Sequence, residues 1–134
     1  MLPETQTPSP SKAALWTGRV MSVLPALFLA FDAVMKLVKP AFVVEATVRL
    51  GFSESTIVPL GAILLVSTLL YLVPRTAVLG AILLTGYLGG AVAAHVRHED
   101  SLFEILFPVV FGALLWGGLV LRDPRLRSLV PWRS

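Results

Sequence analysis

Side chains that could do chemistry are few in this sequence, and most of them stand where long apolar runs begin or end. The stretch LTGYLGGAVAAHVRHED passes from glycines to two histidines, an arginine and two acids. On a helix, its Tyr87 and His95 share one face, two turns apart. Asp32 and Lys36 are four residues apart in an earlier run, and Glu104 opens a later one. Such groups can line a polar pocket for a small ligand, and a histidine among them can relay protons near neutral pH.

Asp32 is expected to lie inside a membrane. Only twelve residues separate it from Arg19, and about 18 Å of helix does not cross about 30 Å of hydrocarbon. With Arg19 at the head groups, the acid falls in the outer third of the bilayer, where it costs several kcal/mol unless it has a partner. Lys36 is the preferred partner, with Arg97 and His95 as alternatives.

The polar residues of three apolar runs are predicted to converge at one depth. They would form an outward-facing polar pocket, in which a kink at Pro108 widens the mouth. Tyr87 and Trp116 are the expected aromatic walls. The candidate residues for ligand binding or proton relay are Asp32, Lys36, Tyr87, His95, Arg97 and Glu104.

No catalytic residue and no metal site are predicted. The chain has no cysteine, which excludes thiolate nucleophiles, disulfide exchange and thiolate metal sites. No other nucleophile has a base beside it. His95, His98, Glu99 and Asp100 are suitable ligand types for a metal, but a solvated loop is the preferred interpretation of such a local cluster.

The composition indicates an integral membrane protein of one domain. Of the 134 residues, 56% are hydrophobic and 14% are charged, and the mean hydropathy is +0.83. Four runs reach the roughly 20 residues that a spanning helix needs. The predicted fold is therefore all-α, a bundle of four transmembrane helices, with spans at Ala13–Val38, Ser55–Pro74, Thr76–Ala94 and Ile105–Leu121.

The segments outside the spans are short. Residues 1–12 are rich in Pro, Ser and Thr and are predicted to be disordered. Residues 13–122 form the transmembrane domain, and residues 123–134 a basic cytoplasmic tail. Pro40 and Gly51 bound a short helix between the first two spans. It is too short to cross a bilayer, so it should lie in the interface or tuck back over the bundle.

Small residues recur along the third span. Gly86, Gly90 and Ala94 follow one another every four residues, with Gly89 in an adjacent stripe. Small residues at this spacing allow close helix packing in lipid. We therefore interpret them as a packing surface, inside the bundle or between two copies of the chain, in preference to a glycine-lined ligand slot.

The basic residues are unevenly divided between the two sides of the predicted bundle. The side with both termini has seven and the other side has four, which places the termini in the cytoplasm. The arginine-rich C-terminal tail, with Trp132, is expected to contact anionic lipid, and no nucleic-acid binding is expected. The two sets are Lys12, Arg19, Arg75, Arg122, Arg125, Arg127 and Arg133, against Lys36, Lys39, Arg49 and Arg97.

Two blocks resemble the DoxX-like family of small bacterial membrane proteins: VPRTAVLGAILLTGYLGGAVAAHVRHED and LFEILFPVVFGALLWGGLVLRDPRLR. The earlier FDAVMKLVKPAFVVEATVRLGF resembles that family's first helix and loop. The resemblance spans residues 16–127 and implies a four-helix integral membrane fold in a bacterial inner membrane. It also implies a relation to the small membrane subunit of thiosulfate:quinone oxidoreductase and, more distantly, to the Surfeit-type cargo receptors. The matching candidate positions are Asp32, Lys36, Pro40, Arg75, His95 and Arg97.

The resemblance supplies expectations about function. Some relatives work beside thiol-oxidation or sulfur-oxidation partners, and members often have a glutamate in the second span, near which this chain has Leu64. The leading hypothesis is a non-catalytic subunit or small-ligand binder that supports a membrane redox or stress-response partner. A quinone-reactive oxidoreductase subunit, with quinone as cofactor, and a small proton-coupled transporter are the alternatives. The transporter is the weaker one, since four helices show no inverted repeat.

Overall fold

The computed structural model describes residues 11–127, and this part of the chain is an all-α membrane bundle. Four of its helices are long and apolar enough to span a membrane, which confirms the predicted fold class. Their ends lie within three residues of the predicted spans. The helices are α1 (Lys12–Val38), α2 (Ala41–Arg49), α3 (Ile57–Leu72), α4 (Ala77–Arg97), α5 (Leu102–Arg122) and α6 (Pro124–Arg127).

The long helices form a ring. α1 packs on α3 and α5, and α4 packs on the same two helices, so α1 and α4 stand at opposite corners. A single 3-10 turn, Pro74–Thr76, joins α3 to α4, and such a short link forces an antiparallel pair. We call the end with Ser11 and Arg122 the proximal end. The distal end carries α2 and the turn of residues 98–101.

Helix starts and stops follow local chemistry. The Ser11 side chain accepts a hydrogen bond from the Ala14 N–H and caps α1. α1 ends at Val38, and its C-cap residue Lys39 has a left-handed backbone with φ 60°. Pro40 is the N-cap of α2, so it precedes this helix as predicted. These two residues turn the chain back towards the bundle, so α2 covers its distal end.

Buried polar groups join three helices at the proximal end. The Tyr71 hydroxyl of α3 donates to the Leu115 carbonyl at 2.5 Å and lies 2.8 Å from the Ser22 hydroxyl of α1. Arg122 of α5 donates to the same Ser22 hydroxyl at 3.0 Å. No buried side-chain nitrogen or oxygen in this network lacks a hydrogen-bond partner, which is required of polar groups buried in a membrane protein.

The closest approach of α1 to α5 depends on two glycines. A Cβ on Gly118 would overlap the Ser22 hydroxyl and lie 2.7 Å from the Gly18 carbonyl oxygen, and a Cβ on Gly18 would lie 2.7 Å from the Gly118 carbonyl oxygen. Gly61 and Gly80 allow similar approaches, α1 to α3 and α3 to α4. Close packing through small residues therefore occurs in this bundle, at glycines other than those the sequence singled out.

Adding one methyl group at Gly118 is expected to destabilise the bundle. Gly118→Ala should lower the free energy of unfolding by about 1–3 kcal/mol, because the backbones of α1 and α5 must separate. Gly89→Ala is the matched control, since its Cβ would meet nothing within 4 Å; it should raise stability by about 0.5–1 kcal/mol through helix propensity. Unfolding of both variants in one detergent, followed by circular dichroism, checks this. Equal stabilities would contradict the packing described.

The predicted tails fall mostly outside the described residues. This holds for residues 1–10 of the N-terminal segment and for residues 128–134, including the expected lipid contacts of Trp132 and Arg133. Lys12 belongs to α1. Beyond α5, Asp123 pairs with Arg125 at 3.1 Å, and the hydrogen bond from that guanidinium lowers the pKa of the Asp123 carboxyl.

Candidate functional site

A cavity of about 710 Å³ lies at the distal end of the bundle. All four long helices and α2 contribute to its wall, which is mainly apolar. We call it the distal cavity. Its size falls within the range of about 300–1,000 Å³ that is typical of small-molecule sites. The aromatic residues in its wall are Phe28, Phe42, Phe52, Tyr87, Phe107 and Phe111.

Helix α2 covers the distal cavity. Val43 and Thr47 are buried and line it, so the short helix tucks back over the bundle, which was one of the two predicted placements. Its end is held by Arg97 of α4, whose Nη2 donates to the Leu50 carbonyl at 2.6 Å. Gly51 is needed there, because its φ is 99° and the Arg97 guanidinium occupies the place of a Cβ.

Phenylalanines close the gap between α1 and α5 beside the distal cavity. The Phe28 ring of α1 lies 5.0 Å from the Phe111 ring and 5.9 Å from the Phe107 ring, centroid to centroid. These tilted contacts favour a fixed aromatic wall. Pro108, predicted to widen the mouth, is buried within α5 and also lines the cavity.

Gly86 and Gly90 of α4 line the distal cavity and, like Gly89, make no close helix contact within the described bundle. A Cβ on Gly86, Gly89 or Gly90 would meet nothing within 4 Å, and Gly86 and Gly90 lie in the cavity wall. Of the two predicted kinds of packing, contact inside the bundle is therefore not made by these three residues in the described part of the chain. Ala94 alone of the four is buried. The physical reason is that the spacing of residues along a helix reveals only which of them share a face. Which helix, if any, packs against that face depends on the arrangement of the whole bundle. A contact between two copies of the chain stays a prediction.

One ion pair and Tyr87 supply polar groups inside the distal cavity, in addition to Thr47 of α2 and His95 at the rim. The Lys36 ammonium lies 2.8 Å from the Asp32 carboxylate, one helical turn away, and both residues line the cavity. Their side chains are 15% and 37% exposed, respectively. Tyr87 of α4 lines the same cavity. Of the three partners predicted for Asp32, Lys36 forms the ion pair in the structure, and Arg97 and His95 do not.

His95 stands at the rim of the distal cavity with acids on its other side. Its Nδ1 lies 2.6 Å from the Asp100 carboxylate and 3.9 Å from that of Glu104. His98 contacts the second Asp100 oxygen at 2.7 Å. Hydrogen bonds from His95 and then His98 lower the pKa of the Asp100 carboxyl, since they stabilise its charged form.

The backbone after α4 explains why Asp100 returns to His95. The Asp100 N–H donates to the His95 carbonyl and the Glu99 N–H donates to the Val96 carbonyl, both at 3.0 Å. Glu99 has a left-handed φ of 59°. This is the Schellman pattern of helix termination. It folds residue 100 back over the last helical turn, which places its carboxylate against the imidazole.

Three predicted pocket residues do not line the distal cavity. Arg97 is engaged with the end of α2. Glu104 lies in the first turn of α5, half-exposed, near the Ser101 cap. Trp116 donates from Nε1 to the Thr85 hydroxyl at 2.6 Å, so it joins α5 to α4 and is not an aromatic wall of the cavity. The predicted single pocket therefore divides into a polar group inside the cavity and a histidine-carboxylate cluster at its rim.

Sequence reasoning missed the Ser22, Tyr71 and Arg122 network. Its signal was present, because polar residues interrupt otherwise apolar runs at each of these positions. At Leu64, near the place of the family glutamate, the side chain is fully buried in the core. A leucine at position 64 cannot ionise, so this residue offers no carboxylate to the bundle.

The comparisons with known proteins agree with this architecture. The family model described as the DoxX-like family matches residues 20–118, which include all of α3 and α4, most of α1 and α5, and every residue that lines the distal cavity. No curated protein and no solved structure matches the chain. Since the match covers well over half of the sequence, this multi-pass membrane protein belongs to the DoxX-like family.

Proposed function

We propose that this protein is a ligand-binding membrane subunit that holds a small lipid-soluble molecule in the distal cavity. The observation that carries the proposal is one ion pair, with Tyr87 in the same wall, in a mainly apolar cavity of about 710 Å³. An apolar wall accommodates a hydrocarbon body, and few polar groups at one place orient a head group.

The polar residues indicate what the head group must offer. The Lys36 ammonium has three N–H donors, of which Asp32 accounts for one. The remaining two donors and the Tyr87 hydroxyl all suit oxygen acceptors. A head group with carbonyl, phenolate or carboxylate oxygens is therefore the expected class, attached to an apolar tail.

Ligand-induced stabilisation tests the proposal. The full chain, purified in mild detergent, is heated with amphipathic compounds that share one tail and differ in the head group. A compound with acceptor oxygens at about 100 times its Kd should stabilise the protein by about 2.7 kcal/mol. The same tail without a polar head is the control and should give a much smaller effect. If no compound stabilises the protein, the proposal fails.

A quinone-reactive subunit is the second candidate function. The observation in its favour is that Lys36 of α1 and His95 of α4 both line the cavity, so two separate polar points could meet two quinone carbonyls. Electrons would come from a partner oxidoreductase, and His95 and Asp32 would deliver the protons. A folded His95→Ala variant should then lose quinone-dependent turnover in membranes with that partner. Unchanged turnover would remove this candidate.

We further propose that the protein supports a membrane redox or stress-response partner. It would lie in the bacterial cytoplasmic membrane with both of its own termini in the cytoplasm. The support is the family relationship and the seven basic residues on the proximal side against four on the other. Because the chain has no cysteine, Ser55→Cys reports on the distal end alone. A membrane-impermeant thiol reagent should label it in intact spheroplasts. Labelling only after lysis would reverse the orientation.

A further inference from the structure

The turn from α4 into α5 brings three potential metal ligands together. His95 belongs to α4, Asp100 to the turn and Glu104 to the first turn of α5. One ligand atom from each, the imidazole Nδ1 and two carboxylate oxygens, lies within 4.8 Å of the other two. The distances from the Nδ1 are 2.6 Å to Asp100 and 3.9 Å to Glu104.

We infer that His95, Asp100 and Glu104 bind a divalent transition-metal ion of the zinc type at the rim of the distal cavity. One imidazole nitrogen and two carboxylate oxygens are ligands that Zn²⁺ takes readily. Three protein ligands leave the fourth position of a tetrahedral ion open, to water or to a group that enters from the cavity. This inference goes beyond the proposed function and does not depend on it.

The geometry needs little adjustment to accept the ion. With metal-ligand bonds of about 2.0–2.2 Å in a tetrahedron, neighbouring ligand atoms lie about 3.4 Å apart. The His95 to Asp100 distance of 2.6 Å must lengthen, and the His95 to Glu104 distance of 3.9 Å must shorten. Both changes are below about 1 Å, and the Asp100 and Glu104 oxygens, within 4.8 Å of each other, must approach by at most about 1.4 Å to reach the same spacing. Side-chain torsions can supply these shifts. The direct hydrogen bond to Asp100 would be replaced by two metal bonds.

The charges around the cluster favour a cation. Among residues 11–126, whose side chains are described, no lysine or arginine nitrogen lies within 4 Å of the Asp100 or Glu104 carboxylates. Arg97, the nearest arginine in sequence, donates to the Leu50 carbonyl. Only imidazoles face these two negative charges, and a divalent ion would neutralise both.

Residues next to the proposed ligands hold them in place. His98 contacts the second oxygen of Asp100 at 2.7 Å, and the Ser101 hydroxyl donates to Glu104 at 3.3 Å. The Asp100 side chain is only 13% exposed, so its position is restricted. Such outer contacts orient the ligands of metal sites, and their loss typically costs about 10–100-fold in metal affinity.

A metal titration of the purified chain tests the inference. The full-length protein in detergent, stripped with chelator, is titrated with Co²⁺ and followed by its visible absorption, then with Zn²⁺ by calorimetry. We expect one ion per chain. Glu104→Gln and Asp100→Asn should each weaken binding by at least about 10–100-fold. Glu99→Gln, which removes a charge from the same turn outside the cluster, is the matched control and should bind within about threefold of wild type.

Two results would overturn the site. One is the absence of Co²⁺ absorption and Zn²⁺ heat at millimolar metal. The other is equal binding by the wild type and by Glu104→Gln, with circular dichroism confirming that the variant is folded. A Gly90→Phe variant, which changes the cavity wall and not the cluster, should bind the ion as the wild type does. This separates a failure of the metal site from a failure of ligand binding in the distal cavity.

Discussion

A Gly90→Phe variant is expected to fold as well as the wild type and to lose most of its affinity for the molecule in the distal cavity. A Cβ at this position enters open space, so the backbone need not move. Helical side chains lean towards the N-terminus of their helix. The phenyl ring would therefore extend over Gly86, one turn earlier, and occupy the part of the cavity that both glycines leave empty.

The expected loss is about 10–100-fold in affinity, since overfilling a packed site costs about 1–3 kcal/mol. Gly89→Phe is the matched control. It adds the same side chain to a neighbouring glycine that is also open but does not line the cavity. Ligand-induced stabilisation of both variants gives the comparison. Equal affinities for the two would show that the ligand does not occupy the space beside Gly90.

Removing one partner of the Asp32–Lys36 pair is expected to have the largest effect on stability. Asp32→Asn leaves the Lys36 ammonium, only 15% exposed, without its counter-charge, at a cost of about 3–5 kcal/mol. Lys36→Met should cost less, because the Asp32 side chain it leaves is 37% exposed. The double variant Asp32→Asn, Lys36→Met contains no unpaired charge and should recover most of the stability.

The Lys39–Glu54 ion pair is the control for the double-mutant cycle formed by the Asp32 and Lys36 variants. Its groups lie 3.4 Å apart outside the long helices, with exposed fractions of 33% and 61%. Its removal should change the free energy of unfolding by less than about 1 kcal/mol. Unfolding of all these variants in the same detergent gives the coupling energies. If the double variant at Asp32 and Lys36 is no more stable than the worse single variant, the pair is not what stabilises α1 at this depth.

The double variant also separates stability from function. It should remain folded, yet bind the head group more weakly, since Lys36 supplies the donors that we assign to ligand oxygens. A folded double variant with unchanged ligand affinity would place the head group elsewhere in the cavity.

The fold was predictable because apolar length and charge position alone define the spans. Runs without formal charge gave three of the four long helices, and the first was recognisable despite Arg19, Asp32 and Lys36. The ion pair was also predictable, because Asp32 and Lys36 are one turn apart on a single helix and need no knowledge of neighbours. Pro40 marked the start of α2 for the same local reason.

The predictions that failed concern how each helix is turned about its axis. α4 has small or apolar residues on every side, so its sequence does not reveal which side meets another helix. The glycines Gly86 and Gly90 consequently seemed suited to packing, whereas the close contacts fall at Gly18 and Gly118. Trp116 was assigned to the pocket for lack of the same information.

The cluster at the rim was missed for a different reason. Asp100 reaches His95 only because the chain takes a left-handed turn at Glu99. A glutamate at such a position gives little signal, since glycine is the usual residue there. The histidines and acids were noticed as ligand types, but their convergence depends on that turn and on the Ser101 cap of α5.

The most direct measurement is purification of the wild type and the Gly90→Phe variant from native membranes in mild detergent, followed by mass spectrometry of the small molecules that each retains. We expect the wild type to retain a stoichiometric amphipathic molecule with an oxygen-bearing head group, and Gly90→Phe to lose it while Gly89→Phe keeps it. A wild-type protein that carries only bulk lipid, in the same amounts as both variants, would contradict the assignment of the distal cavity as a ligand site.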